Sequence, residues 1–291
     1  MNKVKTASQI VSELRDGMTV GIGGWGPRRK PMALIREILR SDLKDLTIVS
    51  YGGADVGMLC AAGKVKKLIF AFVSLDFIPL EPYFRIARQQ GELELMEIDE
   101  GMLLLGLRAA AWGSPFIPTQ VGLGTDVIKN NPDLKVINSP YDDKEWVAMP
   151  ALKLDAALVH VDRADERGVC RISAPDHHMD DWFVRAAKKS YVSCDEIVDS
   201  HHFNSPEVAR QVFWERSLTS AVCHIPGGAH PTSCAPFYGI DNKHFLRYNK
   251  SAKEGGFTEY SDTFINGKTE QDYQALLGGI DAIKQIPQTT Y

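Results

Sequence analysis

No run in this 291-residue sequence approaches the roughly 20 consecutive apolar residues that a membrane-spanning helix needs, so no span through a bilayer is expected. Basic side chains are outnumbered by acidic ones, 33 Lys and Arg against 37 Asp and Glu, and the net charge is −4. Nucleic acid, whose phosphates call for concentrated Lys and Arg, is therefore not an expected partner. The one basic run, Arg28-Arg29-Lys30, is long enough to contact a single anionic ligand. Cysteine is sparse: Cys60, Cys170, Cys194, Cys223 and Cys234 are odd in number, scattered, and never in a Cys-x-x-Cys pair. A disulfide framework and a zinc knuckle are both excluded on that spacing, and buried reduced thiols are expected. Histidine occurs as the adjacent pairs His177-His178 and His201-His202, with no His-x-x-x-His. Neighbouring side chains cannot both face one point on a helix or strand, so no metal site is expected and the pairs read as solvated loop residues, with His177 a possible cleft liner. A Gly-x-Ser-x-Gly elbow is also missing, and Ser74, in Phe72-Val-Ser-Leu-Asp76, has no obvious histidine partner, which leaves serine-hydrolase chemistry without support. The N-terminal residues run into a charged helix pattern with no apolar signal core, and a cytoplasmic location is expected.

What the chain does have is alternation. Short apolar runs at Thr19–Gly24, Leu46–Tyr51, Leu68–Val73 and Leu93–Ile98 are separated by helix patterns at Pro31–Leu39, Asp55–Ala62, Glu81–Gln90 and Gly101–Ala111. Strands alternating with helices of this length imply parallel crossover units and a sheet covered on both faces. The second half is less regular. Asn130–Lys144 reads as an exposed excursion, Ala156–Val161 as a buried strand, and Met179–Lys188 as a helix leading into a strand at Ser190–Ser193. Ala221–Ile225 is a further apolar run, and Lys268–Leu277 a closing helix with Thr269 as its cap. With no repeat, low-complexity tract or linker, a single domain over residues 1–291, built on one continuous sheet, is expected.

Three constellations end strands, where ligands bind in parallel sheets. The first is Gly21-Ile-Gly-Gly-Trp-Gly-Pro-Arg-Arg-Lys-Pro31. Its glycines allow close backbone approach, the following helix N-terminus attracts anions, and Arg28, Arg29 and Lys30 add charge for a phosphate or carboxylate. An ordinary tight turn with a solvated basic edge fits as well, but Trp25 set among Gly23, Gly24 and Gly26 argues for a site. The turn lacks nucleotide P-loop spacing. The second is Met96-Glu-Ile-Asp-Glu-Gly-Met102. Crowded carboxylates raise each other's pKa and suit a general base, yet acids enrich first helical turns for dipole reasons alone, and spacing by itself favours the dipole. Glu97 and Asp99 are expected on one side of the strand, and Glu100 on the turn. The third, Pro226-Gly-Gly-Ala-His-Pro-Thr-Ser-Cys-Ala-Pro236, is rich in small residues and suits close contact with a ligand or partner, with His230 as a polar anchor, or a structural loop equally.

Taken together these motifs resemble the α subunits of family I CoA-transferases. The resemblance rests on the glycine turn with Arg29-Lys30-Pro31, on Leu46-Thr-Ile-Val-Ser-Tyr-Gly-Gly53, Gly63-Lys-Val-Lys66 and Gly106-Leu-Arg-Ala-Ala-Ala-Trp-Gly-Ser-Pro-Phe-Ile-Pro118, and on the Pro226–Pro231 loop. It covers nearly the whole chain. It implies a three-layer α/β/α sandwich with a mixed, mainly parallel sheet, and an αβ or α2β2 assembly with a β subunit. The active site would lie between subunits. Gly24-Trp-Gly-Pro-Arg-Arg-Lys-Pro-Met32, Phe72-Val-Ser-Leu-Asp76 and Asp99-Glu-Gly-Met-Leu103 are most similar to a branch that hydrolyses a carbon–carbon bond, the steroid ring-opening hydrolases. That branch belongs to lipid metabolism, in steroid degradation and cholesterol catabolism. Glutaconate-type CoA-transferases, whose nucleophilic glutamate is on the β subunit, are the next resemblance, and a non-catalytic CoA-binding subunit is the third reading. The first reading makes Glu100 the catalytic base or nucleophile. It makes Gly23, Gly24, Trp25, Arg28, Arg29, Lys30, Ser74, Gly227 and Gly228 the residues that hold an acyl-CoA. No metal or separate cofactor is implied, CoA being part of the substrate.

Overall fold

The computed structural model describes residues 2–91, 93–254 and 256–288. The chain opens with α1 (Ala7–Val11), started by a reciprocal cap: Thr6 Oγ1 accepts the Gln9 N–H and the Gln9 side chain accepts the Thr6 N–H. Four crossover units follow: β1 (Thr19–Trp25) and α2 (Met32–Arg40), β2 (Leu46–Gly52) and α3 (Ala54–Ala61), β3 (Val65–Val73) and α4 (Pro82–Gln90), β4 (Glu94–Glu97) and α5 (Glu100–Ala111). Next come β5 (Phe116–Thr119), α6 (Asp126–Asn130), β6 (Lys135–Asn138), β7 (Glu145–Pro150), β8 (Leu154–Ala164) and β9 (Cys170–Arg171). The rest comprises α7 (Asp180–Ala186), β10 (Ala187–Ile197), α8 (Pro206–Ala209), β11 (Thr219–His224), α9 (Asn242–Glu254), α10 (Gly256–Phe264), α11 (Glu270–Leu276) and α12 (Ile280–Lys284).

The main sheet has the order β11-β10-β8-β1-β2-β3-β4 with every neighbour parallel, and short β9 adds an antiparallel pairing to β8. Alternation along each strand feeds two cores, one on either face. In β2, Ile48 joins a core with α1–α4 and the aromatics of α9–α11, while Val49 joins one with α5 and α7. The result is a three-layer sandwich with a mainly parallel sheet. From β1 the chain winds outward one way to β4 and then the other way through β8 to β11. Its topological switch point therefore lies at the carboxyl ends of β1 and β8, where a parallel sheet opens a crevice.

One continuous sheet was expected, and here the fold differs. The strands β5-β7-β6 form a separate antiparallel sheet. The segment read as an exposed excursion is half of its hairpin. Buried Val147 and Met149 of β7 join the α5 core, while Tyr141 at the tip is 97% exposed. Helix α7 stops at Ala186, short of the expected Lys188, because β10 already pairs with β8 at Ala187–Leu154.

Candidate functional site

The glycine turn is tight because it is packed from within. Trp25 and Arg28 exchange backbone N–H···O bonds at 2.9 Å, and Gly24 and Gly26 sit at φ of +76° and +51°. A Cβ on Gly23 would lie 2.5 Å from Asp180 Oδ1, and one on Gly24 2.5 Å from the Arg28 carbonyl. Asp180, at the start of α7, accepts the Gly24 N–H at 2.7 Å through one oxygen and an Arg29 N–H at 2.9 Å through the other.

This corrects the reading of the basic run. Arg29 is 2% exposed and also donates to the Asp176 carbonyl at 3.1 Å. Lys30 is fully buried, donating to Ser50 Oγ at 2.8 Å and standing 3.1 Å from Asp55 Oδ2. Buried cations must be paired, and these two are turned into the protein, where no anion can reach them. Arg28 alone of the three stays at the rim, 2.5 Å from Asp76 Oδ2.

Trp25 anchors an aromatic cluster at the end of β1. Its half-buried indole stacks on Tyr51 (centroids 4.8 Å, 19° between planes) and lies 4.9 Å from Phe72 and 6.2 Å from His178. His178 is therefore not the solvated loop residue expected. It is buried beside this platform, and burial together with Arg29 pulls its pKa down to about 3, so the ring is neutral. His177 stacks on Phe213 at 4.4 Å, with Asp181 at 3.4 Å, away from the indole.

The three acids take three different roles. Glu97 closes β4 and pairs with Arg88 at 2.6 Å on the surface. Asp99 lies beyond the strand rather than beside Glu97 on it. It caps α5, its Oδ1 accepting the Gly101 N–H at 2.7 Å. Glu100 is the first residue of α5 and solvent-facing, and no cation pairs with it among the described residues. Partial burial, and then the charge of Asp99, raise its carboxyl pKa above the usual glutamate range, as suits a base. The Tyr51 hydroxyl donates to the Glu100 carbonyl at 2.8 Å. The glycine turn and the acidic turn, separate motifs in the sequence, thus meet through Tyr51.

Ser74 sits on the same rim. Its N–H donates to Gly52 O and its Oγ accepts the Asp76 N–H, both at 3.0 Å, and its carbonyl abuts Gly26. Gly227 and Gly228 do not face this rim. They are buried, the Gly227 N–H donating to Asp195 Oδ1 at 2.6 Å and Gly228 O accepting the Ala33 N–H at 2.8 Å. A Cβ on Gly228 would lie 3.1 Å from His160 Cε1, so the small residues of this loop serve internal packing. His230 is equally interior, between the Tyr273 hydroxyl (2.7 Å) and Asp241 (3.0 Å).

The sequence reading missed a Ser193–His160–Asp195 row, with 2.8 Å from each ring nitrogen to its partner. Ser193 and Asp195, two apart on β10, were the available signal. With all three side chains fully buried, the row braces β8 to β10 and cannot receive a substrate. Among the described residues, two groups bring metal-capable atoms within 4.8 Å, His160–Asp195–Cys234 and His230–Asp241–His244. Both nitrogens of His160 and of His230 already serve hydrogen bonds inside the protein. A concavity of about 990 Å³ between α1, α2, the end of β11 and α11 includes none of the residues around Trp25 and Glu100.

The family described as Coenzyme A transferase matches residues 4–209, across β1 to α8 and including Trp25 and Glu100. The chain belongs to the coenzyme A transferase family. Within that family it is 44% identical over 275 residues to the "Cholesterol ring-cleaving hydrolase IpdA subunit" of Rhodococcus jostii, covering 92% of this chain and 93% of that one. The protein of the same name from Mycobacterium tuberculosis is 42% identical over 289 residues, covering 97% and 99%. The crystal structure of glutaconate coenzyme A-transferase from Acidaminococcus fermentans superposes with a TM-score of 0.91 at 25% identity, covering 98% of this chain and 95% of that one. The two hydrolase relatives are each named as a subunit, so this transferase-family chain is similar to components of larger enzymes.

Proposed function

We propose that this chain is the Glu100-bearing α subunit of a cytoplasmic two-subunit enzyme that hydrolytically opens a carbon ring of a steroid-derived acyl-CoA thioester. The observation that carries the reading is Glu100 itself: a carboxylate at the carboxyl end of the sheet, its pKa raised by burial and Asp99, with no cation holding it among the described residues. The 42–44% identity to chains named as ring-cleaving hydrolase subunits supports the substrate class. Trp25 and Phe72, which pack around Tyr51 whose hydroxyl reaches the Glu100 backbone, offer an apolar face suited to a hydrocarbon ring.

In this mechanism Glu100 takes a proton from water and the hydroxide adds to a ring ketone placed β to a second carbonyl. The carbon–carbon bond breaks, and its electron pair passes onto the carbon flanked by that second carbonyl as an enolate. Glu100 returns the proton there, leaving a carboxylic acid and a ketone. A second route has the carboxylate attack the carbonyl directly. Neither route calls for a metal or redox cofactor, and CoA enters as part of the substrate. The β subunit completes the site in an αβ or α2β2 assembly.

The test is Glu100→Gln in the complex with the β subunit, assayed on a CoA thioester carrying a cyclic β-diketone. Loss of the base should lower kcat by about 10²–10⁴-fold with the fold retained. A glutaconate-type CoA-transferase is the second reading, favoured by the 0.91 TM-score. It requires an active Glu100→Gln complex and a covalent CoA adduct on the β chain, both readable by turnover and mass spectrometry.

A further inference from the structure

Several hydrogen bonds hold the Glu97–Glu100 turn. The Ile98 N–H donates to Phe70 O of β3 at 3.0 Å, and Asn131 Nδ2 donates to Glu97 O at 2.8 Å. Asp99 caps the Gly101 N–H at 2.7 Å, and the Tyr51 hydroxyl reaches Glu100 O at 2.8 Å. Tyr51 alone among these comes from β2. Its ring is fully buried and gripped on several sides: Trp25 stacked at 4.8 Å, Phe72 tilted at 6.0 Å, Phe183 edge-on at 6.2 Å. A ring so held has one direction for its hydroxyl, and that direction ends on the residue assigned as the base.

We propose that Tyr51 is a positioning residue: it ties the Trp25 platform to the Glu100 backbone and so fixes where the carboxylate stands relative to a ligand lying on Trp25. The assignment rests on the reading of Glu100 as the reacting group. Removing the hydroxyl would let the first turn of α5 relax toward solvent. A carboxylate that gains water favours its charged form, so the Glu100 pKa would fall back toward the ordinary glutamate range. Misplacement of a catalytic group by a fraction of an ångström also slows the reaction without changing how substrate binds.

The experiment is Tyr51→Phe, which keeps the ring cage, in the complex with the β subunit. The Glu100 carboxyl is titrated by ¹³C NMR in protein labelled at the glutamate side-chain carboxyl, its signal assigned by its loss in Glu100→Gln. The expected result is a Glu100 pKa lowered toward the ordinary glutamate range. With the cyclic β-diketone thioester, kcat should fall about tenfold at nearly constant KM, with the acid limb of the kcat–pH profile moving down in step. An unmoved carboxyl pKa overturns the proposal, whatever happens to turnover. So does a kcat loss accompanied by a lowered melting temperature and an unshifted limb, which marks a merely structural role. The titration needs no turnover, so it separates failure here from failure of the functional reading. If Glu100→Gln proves active, the reading of Glu100 falls, while the titration still reports on the tether.

Discussion

Arg29 and Lys30 carry charge into the interior, and what they do there is structural. Arg29 neutralises Asp180, which in turn holds the Gly24 N–H, so truncating Arg29 leaves a fully buried carboxylate unpaired. Arg29→Ala should therefore destabilise the chain by ~3–5 kcal/mol, the usual cost of breaking a buried ion pair. Arg28→Ala at the rim, next to half-exposed Asp76, should cost no more than about 1 kcal/mol. Thermal melts of the two variants check this, and equal stability losses would refute the assignment. Glu81 is a second buried charge-bearing group. It caps α4 through Oε2, which accepts the Phe84 N–H at 2.6 Å, and the buried Tyr248 hydroxyl lies beside the same carboxyl. Burial lifts its pKa to about 8, so the folded protein keeps the carboxyl neutral where the unfolded chain ionises it near 4.5. The stability from that retained proton is fully present below the unfolded pKa and is lost as pH rises through about 8. At roughly 1.4 kcal/mol per unit, the loss is on the order of several kcal/mol. Glu81→Gln keeps an acceptor for the cap and removes the titration, so its melting temperature should change less between pH 6 and 9 than that of the parent chain. Parallel decline of the two would show that Glu81 is not the titrating group.

Elements differ in how plainly they were written in the sequence. From β1 to α5 the boundaries fall within a few residues of those read from periodicity, because β1 and β2 are largely buried apolar runs and β3 carries another from Leu68 to Val73. The β5-β7-β6 sheet escaped that reading: β5 and β6 are four residues each, and much of their length is exposed or half-buried, so no apolar run marks them. Helices α9 and α10 escaped as well. Their aromatics, Phe245, Tyr248, Tyr260 and Phe264, pack on one another and on the first core, a grouping visible only once the helices are folded together. The site was legible in the same uneven way. Glycines and a tryptophan at a strand end marked the turn, whereas Glu100 was singled out by the family resemblance, its position at a helix start by itself favouring a dipole role. Which charges point inward was not legible. Arg and Lys are rarely fully buried, and the partners that bury Arg29 and Lys30 are Asp180, some 150 positions on, and Asp55. Tyr51, the link between the two motifs, looked like one more apolar strand residue.

At the scale of the whole molecule, the two cores and the cleft lead to different expectations for the chain by itself. Both faces of the main sheet are covered and the cores run through helices from both ends of the chain, so folding does not wait on another subunit. The cleft is different. Glu100 faces solvent without a cation among the described residues, and the neighbouring β3–α4 loop leaves Phe77 and Leu80 45% and 62% exposed. An electrostatically pre-organised site for a developing enolate needs donors and exclusion of water that this open rim does not supply. The purified chain should therefore melt cooperatively yet turn over the cyclic β-diketone CoA thioester at background rate. Adding the β subunit should raise the rate in proportion to complex formed and saturate at equal molar amounts of the two chains. Titrating one chain into a fixed amount of the other, with turnover as the readout, gives the saturation point directly. A lone chain as fast as the mixture would mean that the cleft is complete within one subunit, and the two-subunit reading would have to be given up.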